Sequence, residues 1–179
     1  MPTRRSILVG TAIVAGTVLW YLFRPEALSL DRIVNEPLPV AEHSISAMAE
    51  SPAMVDSPMG VKLPEKLAGG RFHSNAHETR GSAAVFLLAD GRRVLRLTEF
   101  ATANGPDVRV YFVAAANVQY EATAKEAGLV DLGALKGNIG DQNYDIPADL
   151  DLTRFRAVPI WCRRFSVNFG AAPLAEMAS

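Results

Sequence analysis

Ser82-Ala83-Ala84-Val85-Phe86-Leu87-Leu88-Ala89-Asp90-Gly91-Arg92-Arg93-Val94-Leu95-Arg96-Leu97-Thr98-Glu99-Phe100 is the stretch on which the fold turns. Two short apolar runs, 82–88 and 94–100, flank Asp90-Gly91, a pair that tolerates the positive φ of a hairpin turn. Outward from this hairpin, apolar stretches broken by Gly, Asp and Asn recur about every eight to twelve residues, the spacing of antiparallel β architecture. In 108–113, Val108, Val110 and Phe112 alternate with Arg109, Tyr111 and Val113, the period of a strand. Residues 129–132, 143–146, 158–162 and 165–169 supply further strands, and Glu121 with Lys125 at i,i+4 supports one or two turns of helix between them. The fold class is therefore mainly β: a single antiparallel β-sandwich or barrel-like domain over 65–175, long enough to bury one core.

The N-terminal third has a different texture. Residues 7–23 carry no charge and follow Arg4 and Arg5, which predicts a transmembrane helix of about 25 Å within 1–24. Thr3-Arg4-Arg5-Ser6-Ile7-Leu8 loosely resembles a twin-arginine export signal. Trp20-Tyr21-Leu22-Phe23-Arg24-Pro25 offers no small-residue cleavage site, and Ala47-Met48-Ala49 lies too far on, so an uncleaved anchor is the expectation. Basic residues before the run outweigh Arg24, placing the C-terminal domain on the outer, periplasmic side of a bacterial cytoplasmic membrane as a single-pass protein. Residues 25–64 contain six of the eleven prolines and no sustained periodicity, and read as a tether. A short amphipathic helix over 27–35, with Leu28, Leu30, Ile33 and Val34 apolar, fits near the membrane surface.

The whole chain has 179 residues, is 49% hydrophobic and carries a net charge of −1, and no basic stripe interrupts it. A nucleic-acid partner is not expected, because nothing in the chain would neutralise phosphates.

Cys162 is the single cysteine, so an internal disulfide is excluded, and in an exported protein the thiol is buried, paired between chains, liganded or reactive. Val158, Ile160 and Cys162 share one face of a strand, as do Phe165, Val167 and Phe169, but the two sets differ by an odd number of residues. One extra residue at Arg163-Arg164, a β-bulge, brings both sets inward. Packed there, Cys162 behaves as a small hydrophobe; with an arginine folded over the sulfur its pKa falls instead.

Few other residues offer chemistry. His73 and His77 are four apart, but Ser74, Asn75 and Gly81 favour a turn over a helical zinc pair, leaving His77 as a partner for Cys162 across the fold. Asn104-Gly105-Pro106-Asp107 is a tight turn in which Gly105 permits a conformation closed to side chains, and Asp107 caps backbone donors or faces a pocket. No histidine follows Cys162, against blue copper, and no Cys-His pair exists for c-type haem, which leaves non-covalent haem or a metal open as cofactors. Asp141, Asn143 and Asp145 echo a calcium loop, but Ile146 and Leu152 occupy its Gly and Glu positions, so a polar outer strand face is the better reading. A cysteine hydrolase using Cys162 and His77 lacks an oxyanion loop beside the cysteine.

Three ordered blocks, Asn104-Gly105-Pro106-Asp107-Val108-Arg109-Val110-Tyr111, then Leu132-Gly133-Ala134-Leu135-Lys136-Gly137-Asn138-Ile139-Gly140-Asp141-Gln142-Asn143-Tyr144, then Val158-Pro159-Ile160-Trp161-Cys162-Arg163-Arg164-Phe165-Ser166-Val167, resemble the DM-thirteen domain family. His77 ahead of Gly81 is similar to that family's early histidine before a small-residue turn. The resemblance covers about 66–174 and implies a compact β-rich extracytoplasmic domain with a redox or electron-transfer role centred on Cys162, with His77 and Asp107 as its nearest functional neighbours and a redox protein as partner. Pro159 departs from the pattern of a central strand and suggests an edge strand or bulge beside Cys162. The competing expectation is a binding or adhesion module of the cell envelope that presents the 133–140 loop and the 104–107 turn, with Cys162 inert in the core.

Overall fold

The computed structural model describes residues 30–39, 63–116 and 121–176. Ten strands form in the order β1 (Glu65–Arg71), β2 (His73–Ser74), β3 (Arg80–Leu87), β4 (Arg93–Ala101), β5 (Val108–Val113), β6 (Leu129–Ala134), β7 (Ile139–Ile146), β8 (Ala157–Cys162), β9 (Val167–Pro173) and β10 (Ala175–Glu176). The helix α1 (Glu121–Ala127) precedes β6. One sheet has the order β10-β1-β3-β4-β7 and the other β2-β9-β8-β5-β6, all pairs antiparallel. Both sheets contribute to one apolar core, including Leu95 and Leu97 from the first and Val110, Phe112, Ile160 and Cys162 from the second. The arrangement is a sandwich and not a closed barrel.

Local chemistry explains the elements. The Asp90-Gly91 hairpin forms as its sequence dictates: Gly91 has φ +85°, its N–H donates to Leu88 O at 3.0 Å, and Asp90 Oδ1 accepts from Arg92 N at 2.9 Å. Strand β5 follows its alternation, with Val108, Val110 and Phe112 in the inter-sheet core. Its other face buries Tyr111 and Val113 with Ala124, Ala157 and Trp161 in a second apolar cluster to which α1 contributes. Strands β5 and β8 are buried on both faces because the inter-sheet core covers one and this second cluster the other.

Two expectations about the last strands are corrected. Residues 163–166 form a four-residue turn joining β8 to β9, with Cys162 opposite Val167, so there is no bulge at Arg163-Arg164. Ser166 takes φ +51° to close that turn, and Phe165 is left 65% exposed while Val167 and Phe169 pack inward. The register shift lies instead between Ile160 and Trp161. Pro159 does not mark an edge, since β8 pairs with β5 on one side and β9 on the other. Its missing N–H shows in the β5 ladder, which pairs Val110 with Ile160 and Val113 with Ala157 and is interrupted between them, opposite Pro159.

The stretch expected to be a tether contains an ordered piece. Residues 31–37 run along the free edge of β7, with Ile33 in a parallel bridge to Ile139. Val34 N donates to Ile139 O at 2.9 Å and Glu36 N to Asp141 O at 2.9 Å. An amphipathic helix does not form over 30–35, because β7 offers these backbone groups partners in extended form. Two glycines make room: a Cβ on Gly140, which has φ +103°, would sit 2.1 Å from Val34 O, and one on Gly137 would sit 2.4 Å from Arg32 O. Glu36 locks the strand, accepting from Lys136 Nζ at 2.8 Å and Asn143 N at 2.8 Å. Burial pushes the Glu36 carboxyl upward, but these donors and the charges of Lys136 and Arg96 outweigh it and hold the group below its ordinary value. The polar alternation of Asp141 and Asn143 serves this network as well: Arg96 bonds both of their side chains and Glu36 O.

The expected anchor, 7–23, lies outside the described residues; among those described, no helix is long and apolar enough to cross a membrane.

Beneath the edge, Gln142 and Tyr144 turn inward and hold the loop before β7. Burial pushes the Tyr144 hydroxyl up to about 12, despite the hydrogen bond from Lys136 N. A folded value above the unfolded one, near 10, means that stability is intact below about pH 10 and falls as pH climbs toward 12. The total loss is about 2–3 kcal/mol. Melts of the parent and of Tyr144→Phe across that window check this: the steep alkaline fall belongs to the parent, and equal slopes in the two proteins count against it.

Candidate functional site

Strand β8 delivers Cys162 to the inter-sheet core, where it is fully buried. The sulfur lies beneath the 104–107 turn. A Cβ placed on Gly105 would be 3.6 Å from Cys162 Sγ, 3.1 Å from Phe169 Cζ and 2.7 Å from Val108 Cγ2. Gly105 is therefore fixed by close approach; it is not among the residues with positive φ, so the conformational reason expected from sequence does not apply. At this point the cover over the thiol is backbone with no side chain, and Gly105 itself is half-buried.

The turn is clamped at its far end. Asp107 Oδ2 accepts from Arg163 Nε at 2.8 Å, Asp107 Oδ1 from Arg109 Nε at 3.2 Å, and Asp107 O from Arg163 N at 2.9 Å. Burial pushes the Asp107 carboxyl up, but the bonds and charges of Arg163 and Arg109 prevail and hold it below the ordinary carboxylate value. Arg109 reaches on to Asp131 of β6. Asp107 thus joins the residue after Cys162 to β5 and β6 through side chains, where capping of backbone donors was expected.

His77 arrives from the other side. The 74–79 turn is pinned to β9, with Asn75 N and His77 N donating to Phe169 O at 2.9 and 3.2 Å. Ser74 Oγ accepts from Thr79 N, and the Thr79 and Thr102 hydroxyls are bonded at 2.9 Å. The His77 ring lies against Phe169, with centroids 4.1 Å apart and planes at 60°. Phe169, whose tip also approaches Gly105, is the neighbour that His77 and the thiol's cover share, and sequence reasoning did not single it out.

Cys162, Asp107 and His77 accordingly gather around one corner of the sandwich without converging on one point. Asp107 is engaged by two arginines, His77 is exposed on the Phe169 ring, and Cys162 makes no side-chain hydrogen bond among the described residues. No group of three His, Cys, Asp or Glu side chains there is placed to hold a metal ion. The apolar cavity between the sheets, lined by Leu67, Val85, Phe112 and Phe155 among others, has about 190 Å³ and is lined by none of the three residues.

A family model described as electron transfer DM13 matches residues 71–174, well over half of the chain and all of β2 to β9. The chain belongs to the electron transfer DM13 family. No curated protein and no solved structure matches it. The matched span includes the whole corner around Cys162, while the 31–37 edge strand lies outside it. The DM13 domain of this chain therefore receives on its β7 edge a strand that the family match does not contain.

Proposed function

We propose that this DM13 domain transfers electrons through Cys162, displayed on the outer side of a bacterial cytoplasmic membrane by residues 7–23. The observation that carries the reading is the cover of the sulfur: the backbone of Gly105 lies over it without a side chain, in a turn that Asp107 ties to Arg163. Lifting that turn uncovers the thiol without breaking either sheet. A partner protein carrying a disulfide is then the fitting electron acceptor. The Cys162 thiolate attacks one partner sulfur, a mixed disulfide forms as the partner's S–S bond breaks, its second sulfur leaves as thiolate, and the thiol proton goes to solvent. A donor protein with two thiols then attacks Cys162 Sγ, releasing the partner's first sulfur as thiolate. Its second thiol closes the donor's own disulfide and returns Cys162 as the thiol, so that two electrons pass from donor to partner. Family membership supports the redox role, and the single thiol of the chain, buried under the Gly105 backbone within the matched span, is the group to which this reading assigns it.

The adhesion reading has less support. Two glycines of the loop that would present such a surface, Gly137 and Gly140, lie under residues 32–34 of the same chain.

The test is a thiol titration of the folded, exported protein with an aromatic disulfide reagent, alongside its absorption spectrum. The expected result is a colourless protein with one reactive thiol under native conditions, lost in Cys162→Ser. A thiol that reacts only at the rate of global unfolding defeats the proposal, and a visible absorption band transfers the role to a cofactor.

A further inference from the structure

The strand at 31–37 alters what the N-terminal region does. Only residues 24–30 separate the apolar run from this strand, a reach of at most ~28 Å when fully extended. The 41 residues from Arg24 to β1 would reach ~140 Å if all of them were free. Docking on β7 therefore replaces a long leash with a short one. Its grip is substantial: the backbone bonds of Val34 and Glu36, the Glu36 pair with Lys136, and Arg32 N and Asp31 Oδ1 bonded to the Asn138 side chain at 2.7 Å each. The glycine notches at 137 and 140 fit this backbone and no bulkier one.

What the strand turns outward is also informative. Ile33 is 65% exposed although its neighbour Val34, on the opposite face of the extended strand, is half-buried. An apolar side chain turned outward this close to the end of the apolar run suits the headgroup boundary of a bilayer. We propose that residues 31–37 hold the β7 edge of the domain down on the outer surface of the cytoplasmic membrane, with Ile33 meeting the lipid. This rests on the membrane anchoring proposed above. It gives the domain a fixed working height, so that a redox partner has to meet it close to the bilayer.

The full chain, reconstituted in vesicles containing phosphatidylglycerol, provides the test. Donor fluorophores are attached at Asp145→Cys on β7 or at Ile33→Cys, in a Cys162→Ala background. Phe165→Cys, as exposed as Ile33 but in the β8–β9 turn, is the comparison site. A nitroxide on the lipid headgroup is expected to quench the Ile33 probe and spare the Phe165 probe. Energy transfer from Asp145 to a headgroup acceptor is expected to be strong and to collapse in Glu36→Arg, which sets a cation against Lys136 and releases the strand without touching the core. Ile33→Glu, which leaves the clamp intact, is expected to weaken lipid contact alone. Weak transfer in the parent, or transfer unchanged by Glu36→Arg, in protein that resists alkaline extraction overturns the clamp and leaves the anchor standing. Release of the parent by alkaline extraction overturns the anchor, and the clamp with it.

Discussion

Gln142→Leu is expected to destabilise the domain by about 3 kcal/mol, with two backbone groups left unsatisfied in the interior at about 1–3 kcal/mol each. Gln142 is fully buried, and its amide replaces a missing piece of secondary structure in the loop before β7. Oε1 accepts from Lys136 N and Gly137 N at 3.1 Å each and from the Tyr144 hydroxyl at 2.9 Å, and Nε2 donates to Gly137 O at 2.7 Å. Leucine fills nearly the same volume, so the cost is electrostatic and not a cavity. Lys136 N keeps Tyr144 Oη as a second acceptor at 3.1 Å, which leaves Gly137 N and Gly137 O as the groups that lose everything. Against a total stability of about 5–15 kcal/mol for a domain of this kind, such a loss is large. Urea denaturation checks it: the midpoint should fall with the slope unchanged. A loss under 1 kcal/mol means that water replaces the amide and that the loop is not closed. Because the same loop carries Gly137 and Asn138, which hold Arg32 and Asp31, the variant should also free residues 31–37 to proteases.

Gln142 was within reach of the sequence, and the edge strand was not. A strict alternation through 141–146 puts Gln142 on the same side as Tyr144 and Ile146, and a glutamine on an apolar face calls for buried partners. Reading the segment for its calcium-like carboxylates drew attention to the opposite face. The Asp90-Gly91 hairpin and β5 were legible because turn chemistry and period-2 alternation are local signals. Residues 31–37 pair with partners more than 100 positions away, and in parallel, so no hairpin turn marks the pairing; Pro37 and Pro39 hide it further. Its one trace is Gly137 and Gly140, which need a reason for their missing side chains.

The corner around Cys162 was legible in its membership but not in its geometry. The odd spacing between the Cys162 set and the Val167 set is satisfied equally by a bulge or by a four-residue turn, and only the latter leaves Phe165 in solvent. Likewise Cys162, His77 and Asp107 do belong to one region. Phe169 and the two arginines decide that they do not touch, and contacts between side chains from four separate elements leave no periodic trace in the chain.

Gly105→Ala is expected to raise the rate at which the folded protein's thiol reacts by about tenfold, and Asp107→Asn by about fivefold. The added methyl group overpacks against Val108 and Phe169, a strain of about 1–2 kcal/mol that is relieved when the turn lifts. Each 1.4 kcal/mol is a factor of ten in the opening equilibrium. Asp107→Asn weakens the bonds to Arg163 and Arg109; since the Arg163 side chain is 58% exposed, screening reduces the effect to about 1 kcal/mol. The informative control is Phe112→Ala, which removes a fully buried ring remote from the turn and lowers global stability by about 3–5 kcal/mol. If the thiol is reached by local lifting of the 104–107 turn, Phe112→Ala leaves its reaction rate nearly unchanged, although it is the least stable of the three variants. The order reverses if exposure needs global unfolding: reactivity then tracks stability, Phe112→Ala is fastest, and the two turn variants accelerate only as far as their own melts fall. Measuring the rates at several low urea concentrations separates the routes again, because lifting a turn of four residues exposes little surface and carries a small denaturant dependence. A steep dependence in the parent makes Cys162 an inert core residue and overturns the thiol as the carrier proposed for this DM13 domain.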